Sequence, residues 1–176
     1  MEIAYEKAHD ENSLFNNVTL GALNLGQVIE EIREFLEENP LAEYSLVIGT
    51  DSQEKTEGTK KSALTVVTAI VVHRKGFGGR YFWQKKTVPK TKTLREKIYT
   101  ETLSSLSFAT SFIPMLKKSL NGHAPKYYLE IHVDVGEHGE TREMIKEVVG
   151  MVTGNGFIAK TKPESYGASY VADKHT

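Results

Sequence analysis

YSLVIGTDSQ, residues 44–53, changes character halfway along. Its first seven residues form a short apolar run, the pattern of a strand buried in a sheet. The run then gives way to Asp51, Ser52 and Gln53. In α/β sheets functional sites gather at the carboxyl ends of strands, so an acid at this position is a candidate site residue. A second segment has the same build: YYLEIHVDV (127–135) is an apolar strand that runs into Asp134. If the two strands are parallel neighbours, Asp51 and Asp134 emerge side by side at one edge of the sheet.

The segments between and around these two set the topology. ALTVVTAIVVHR (63–74) is rich in β-branched residues and reads as a second strand. Gly76-Phe77-Gly78-Gly79 turns the chain into a third, residues 80–88. Those glycines lie between two strands with no helix after them, which makes them a hairpin loop rather than a phosphate cradle. Residues 94–116 carry a long helical pattern with Pro114 near its end. After the 127–135 strand, Met144, Ile145, Val148, Val149 and Val152 mark another helical face, ended by Gly154-Asn155-Gly156. A short strand at 157–161 follows; Pro163 breaks it, Ser165 caps the next segment, and a last helix runs towards Thr176. Upstream, the first twenty residues read as irregular, and Leu25, Val28, Ile29, Ile32, Phe35 and Leu36 line one helix that stops at Asn39-Pro40.

Strands joined by short loops imply an antiparallel meander, and strands joined through helices imply right-handed parallel crossovers. The expected fold is therefore α/β: a five-stranded mixed sheet, three meander strands plus two parallel crossover strands, flanked by helices. Residues 1–43 are expected to be an N-terminal extension with one helix, packed on the same domain as residues 44–176.

Composition limits the alternatives. A chain of 176 residues with 39% hydrophobic and 26% charged residues suits one globular domain. No apolar run reaches the roughly 18 residues of a membrane helix, and the polar start MEIAYEKAHDEN does not resemble a signal peptide. A cytoplasmic location is the expectation, and the lack of cysteine agrees while removing disulfides and thiolate metal sites. The Asn17-Val18-Thr19 sequon then has no glycosylation context. Net charge is −1, so no global basic field marks a nucleic-acid partner. The distribution is uneven, however: Lys85, Lys86, Lys90, Lys92, Arg95 and Lys97 face a single acid, Glu96. Such a run is a solvated face unless it lies beside an active site.

Two more acids join Asp51 and Asp134. Leu94, Ile98, Glu101, Ser105, Phe108 and Phe112 recur at helical spacing, which sets Glu101 in a largely apolar stripe. A carboxylate facing a sheet is costly unless it is paired or bound to a metal. The same spacing offers Glu101 an ion pair with Lys97, four residues earlier. Asp173 lies in the last helix, with Ser169 and Tyr170 about a turn before it and Lys174 and His175 after it. His138 and Arg142 sit in the polar stretch after the 127–135 strand, as candidate phosphate contacts or as surface residues. The sequence contains no zinc helix motif, dinucleotide fingerprint or Walker sequence.

The order of elements, with acids on the first strand, the first crossover helix, the fourth strand and the last helix, resembles the ribonuclease H-like superfamily. More narrowly, GTDSQ, HVDVGEHGETREM and KPESYGASYVADKHT resemble a bacterial family of uncharacterised ribonuclease H-like proteins. The likeness covers residues 44–176. It implies a nuclease in which Asp51, Glu101, Asp134 and Asp173 are catalytic and hold two Mg²⁺ or Mn²⁺ ions, hard cations that prefer oxygen ligands. The nucleic-acid substrate would be RNA, an RNA–DNA hybrid or structured DNA. Ser52, Gln53, Lys86, Lys90, Lys92, His138, Arg142, Lys174 and His175 are candidates for contacting it. Two other functions compete. One is a non-catalytic nucleic-acid-binding protein that keeps the fold. The other is a phosphotransferase or ATPase, a reading weakened because no second lobe is present to close over a nucleotide.

Overall fold

The computed structural model describes residues 14–57, 60–122, 125–137 and 141–176. Two short strands, β1 (Phe15–Asn17) and β2 (Gly21–Leu23), precede helix α1 (Leu25–Glu37). The meander follows as β3 (Tyr44–Glu57), β4 (Lys60–Arg74) and β5 (Gly78–Pro89). Helix α2 (Leu94–Leu120) leads to β6 (Tyr127–His132), α3 (Ile145–Gly154) and β7 (Ile158–Lys160). The chain closes with a wide π-helical turn, Gly167–Ala172, that tightens into a 3₁₀ turn, Asp173–His175.

All strands share one mixed sheet in the order β2-β1-β5-β4-β3-β6-β7. The meander is antiparallel, and β3-β6 and β6-β7 are parallel. The five expected strands are present, and two more extend the sheet beyond β5. Asn17 shapes this addition: its side-chain amide donates to the Tyr81 carbonyl, while its Oδ1 accepts from the backbone of Thr19 and Leu20. Gly21 completes the turn at φ +75°, a conformation open to glycine. Strands of three residues are too short to produce an alternating pattern, which is why this stretch reads as irregular in sequence.

Helices α1, α2 and α3 follow their sequence signals with one exception, while the expected last helix forms the π-helical and 3₁₀ turns instead. Asn24 and Gln27 form a reciprocal capping box at the start of α1, whose buried face is Val28, Ile29, Ile32, Phe35 and Leu36. Thr93 caps α2 by accepting from the backbone of Glu96. Pro114 does not end α2: the helix continues to Leu120 because Leu116 and Leu120 extend the buried stripe beyond it. Tertiary burial here outweighs the loss of one backbone hydrogen bond. Among the described residues no helix is long and apolar enough to cross a membrane.

The two faces of the sheet are covered differently. α1, α2 and α3 bury the larger core, which includes Ile48, Ile70, Phe82, Phe112 and Leu116. On the opposite face the C-terminal turns cover Val67 and Ala69 with Ala172. That docking depends on Gly167. A methyl group built there would lie 2.5 Å from Val47 Cγ1 and 3.3 Å from His132 Nδ1. The Gly167 amide donates to His132 Nδ1 at 3.0 Å, so the ring's other nitrogen carries the proton and donates to Glu130. His132 is buried, and burial holds its pKa below the usual value, in keeping with this neutral form.

The space at Gly167 is testable. Gly167→Ala should destabilise the protein by about 1–3 kcal/mol, the usual range for overpacking a well-filled contact. Urea unfolding with an unchanged m-value would report it, and a wild-type midpoint would show that the terminal turn docks with room to spare.

Candidate functional site

The site begins with strand register. Gly49 on β3 pairs with His132 on β6 in the parallel ladder. Asp51 and Asp134 each lie two residues beyond those partners. β6 ends at His132, whereas β3 continues and pairs Asp51 with Val67 on β4. Beyond Gly49, β3 thus has a strand neighbour on one side only among the described residues.

Pleating then sends alternate side chains to opposite faces. Thr50 and Ser52 face α2. The Thr50 hydroxyl lies 2.7 Å from Ser105 Oγ and 3.0 Å from Thr68 Oγ1, and Ser52 Oγ donates to Glu101 Oε1 at 2.6 Å. Glu101 is only 2% exposed and meets Ser52 rather than Asp51. Asp51 lies in register with Val67, on the face covered by the C-terminal turns.

Lys97 connects the two faces. Its ammonium lies 2.8 Å from Glu101 Oε1 and 3.9 Å from Asp51 Oδ1. The pairing of Glu101 with Lys97, offered by the sequence spacing, is therefore present. Asp134 has a separate set of partners: Ser169 Oγ donates to it at 2.8 Å and Lys162 Nζ lies 3.1 Å away. Asp173 is exposed at the start of the 3₁₀ turn, directly after buried Ala172.

The electrostatics carry the mark of crowded acids. Burial pushes the Asp51 carboxyl above its ordinary pKa; Lys97 pulls the other way, and the charges of Asp173 and Asp134 push it further up. Burial also raises Glu101, against the pull of Lys97 and the Ser52 hydroxyl. For Lys97 burial disfavours the ammonium, but Glu101, Asp51 and Asp134 together outweigh it and hold the pKa above normal. Asp51 and Glu101 thus share Lys97, and the charges of Asp134 and Asp173 act on Asp51. Among the described residues, however, no three His, Asp or Glu side chains form a group able to hold a metal ion.

The candidate contact residues divide. Ser52 is committed to Glu101, and Gln53 is exposed. Lys86, Lys90 and Lys92 are exposed along the end of β5 and the connection into α2, so the basic run leads to Lys97. Glu96 belongs to the helix start, where it accepts from the Lys92 amide. Arg142 is exposed before α3, and His138 lies outside the described residues. Lys174 is exposed, whereas His175 stacks on Trp83 with ring centroids 3.7 Å apart and planes 7° from parallel. That stack, with Ala172 buried beneath it, anchors the turn that carries Asp173. The sequence signals do not single out Lys162 or assign Ser169 to Asp134. Lys162 is within their reach, since it follows a parallel strand and so falls under the same strand-end rule as Asp134.

The raised Asp51 pKa has a consequence for stability. The ionised form is disfavoured in the folded state, so stability is lost as pH rises through the raised pKa, and none is lost below the ordinary value of 3.8. Asp51→Asn should therefore melt higher than wild type at neutral pH, on the order of 2–4 °C, the shift that about 1 kcal/mol produces in a domain of this size. The advantage should vanish as pH falls below the ordinary carboxyl value. A variant that melts lower at neutral pH would mean that the Lys97 contact outweighs burial.

Comparison with known proteins agrees with this architecture. The family model described as ribonuclease H-like matches residues 27–176, beginning inside α1. The chain is 33% identical over 174 residues to an uncharacterized protein, YkuK, of Bacillus subtilis (strain 168), covering 94% of this chain and 98% of that one. No solved structure gives a significant match. With a family model spanning most of its length, this chain belongs to the ribonuclease H-like family.

Proposed function

We propose that the protein is a Mg²⁺- or Mn²⁺-dependent nuclease that hydrolyses phosphodiester bonds in RNA, RNA–DNA hybrid or structured DNA. One observation carries the reading: Asp51, within β3, and Asp134, just past the end of β6, each lie two residues beyond the paired Gly49 and His132, with Glu101 tied to β3 through Ser52 and Lys97. Family membership supports a nucleic-acid role at the coarse level.

The donor chemistry suits such an ion. Carboxylate oxygens are the preferred ligands of hard divalent cations, and the cluster already attracts positive charge in the form of two lysine ammoniums. Asp51, Glu101, Asp134 and Asp173 are the carboxylates that would hold it. Bound there, the metal supplies an activated water and charge stabilisation at the leaving oxygen. The chain's own part is positional. The sheet fixes Asp51, Ser52 orients the Glu101 carboxylate, Ser169 orients Asp134, and the exposed lysines 86, 90 and 92 attract substrate phosphates.

A second reading, a nucleic-acid-binding protein without catalysis, is favoured by one fact: no three acids form a ligand group among the described residues. A labelled panel of single strands, duplexes, hybrids and branched DNA separates the two. The nuclease should cut at least one member with Mg²⁺ or Mn²⁺. Asp51→Asn and Asp134→Asn should each lower the rate on the order of a thousandfold, as expected when several kcal/mol of metal-dependent stabilisation is removed. Asp173→Asn should be milder, because Asp173 is exposed and water can replace it. Binding without cleavage by wild type, or equal cleavage by Asp51→Asn, would leave the binding protein as the better account.

The basic run makes its own prediction. Neutralising Lys86, Lys90 and Lys92 together should weaken binding to duplex and flatten the logarithmic salt dependence by about 0.9 for each phosphate that the lysines no longer neutralise. An unchanged slope in a salt titration would return the run to a solvated face.

A further inference from the structure

Asp51 and Glu101 belong to opposite faces of β3, because Ser52, the partner of Glu101, is the next residue along the strand. A cation serving both carboxylates has to sit at the strand's edge, where it can reach around the backbone. Among the described residues no strand pairs with that edge beyond Gly49, where β6 has ended, and Lys97 lies within reach of both acids, 2.8 Å from Glu101 and 3.9 Å from Asp51. Lys97 reaches this place from the first turn of α2, four residues before Glu101 on the same helix face. Its side chain is 28% exposed, so it is seated in the site yet open to solvent. The contrast with Glu101 is informative: the carboxylate is fixed by burial and by Ser52, while the ammonium has a way out.

We propose that Lys97 is the resident counter-cation of the Asp51–Glu101 pair, and that a divalent ion binds by displacing its ammonium from the strand edge. This inference rests on the metal-dependent reading above. It assigns Lys97 a positioning role: it keeps two crowded acids together while metal is absent and sets how tightly metal binds. The argument is one of charge and space. An ammonium in contact with a carboxylate repels an incoming divalent cation, and it occupies the position from which both acids can be reached. Leaving Glu101 buried with no cation would be strongly destabilising, so the exchange of one positive charge for another preserves the fold throughout.

The test uses the whole chain with Mn²⁺ as the probe, followed by calorimetry and by the electron paramagnetic resonance of free Mn²⁺. Lys97→Gln should bind Mn²⁺ about tenfold more tightly than wild type, because a neutral amide removes the repulsion. Lys97→Arg should stay near wild type, and Asp51→Asn should lose specific binding. Without metal, Lys97→Gln should melt below wild type, and Mn²⁺ should close that gap. A readout on wild type covers the case in which Lys97→Gln does not fold. The side-chain ¹³Cε signal of Lys97 should shift towards that of a free lysine as Mg²⁺ is added. Equal or weaker Mn²⁺ binding by Lys97→Gln, or a Lys97 signal unmoved at Mg²⁺ saturation, overturns the displacement while Asp51-dependent binding leaves the metal reading standing. If no protein in the series binds Mn²⁺, the metal reading falls and the inference falls with it.

Discussion

The pleat of β3 at Thr50-Asp51-Ser52 is the constraint around which this molecule is arranged. Three consecutive residues must point alternately to two faces, and each face has been given its own cover. Thr50 and Ser52 make a buried hydroxyl row with Thr68 and Ser105 under α2, with Glu101 as its neighbour. Asp51 meets the opposite side, where Gly167 lets the terminal turns come close and Ala172 covers Val67. The acids are therefore gathered from two layers through a strand edge, and a single lysine spans the gap. A helix that slipped by one residue, or a strand whose register moved by one, would exchange the two sets and leave Glu101 without Ser52.

Holding ionised groups this way works against the fold, and the compensation is visible. Glu101 combines a short hydroxyl hydrogen bond with an ammonium contact, and Asp134 does the same with Ser169 and Lys162. Away from this end the sheet carries an apolar core, with the helices packed on Ile48, Ile70 and Phe82. The buried carboxylates, Asp51 and Glu101, stand together at this place, and hydrophobic contact supplies the stability elsewhere.

Much of this is legible in the sequence, and the failures have physical causes. Asp134 can be read because an apolar run identifies its strand and strand ends locate sites, and the same rule finds Asp51 although β3 runs on past it to Glu57. Glu101 can be read because a carboxylate in an apolar stripe needs a partner, and the spacing names Lys97 among its candidates. The β1–β2 pair escapes because three-residue strands held by Asn17 and Gly21 leave no periodic trace. Pro114 misleads because a local breaking signal is overridden by burial of Leu116 and Leu120 downstream. The last segment reads in sequence as an ordinary helix, and it winds widely instead, between the close contact at Gly167 and the ring stack at His175. Those are contacts with β3, β5 and β6, distant in the chain, and no local pattern encodes them.

The ring stack has a practical corollary. Trp83 is the sole tryptophan of the chain, and an imidazole carried two residues beyond Asp173 lies flat against it. Indole emission responds to what touches the ring and to how much water reaches it. The protein therefore carries its own optical sensor at one flank of the candidate site, without any added label. Changes in colour or lifetime of that emission would follow the seating of the terminal turn in real time, separately from any chemistry the acids perform.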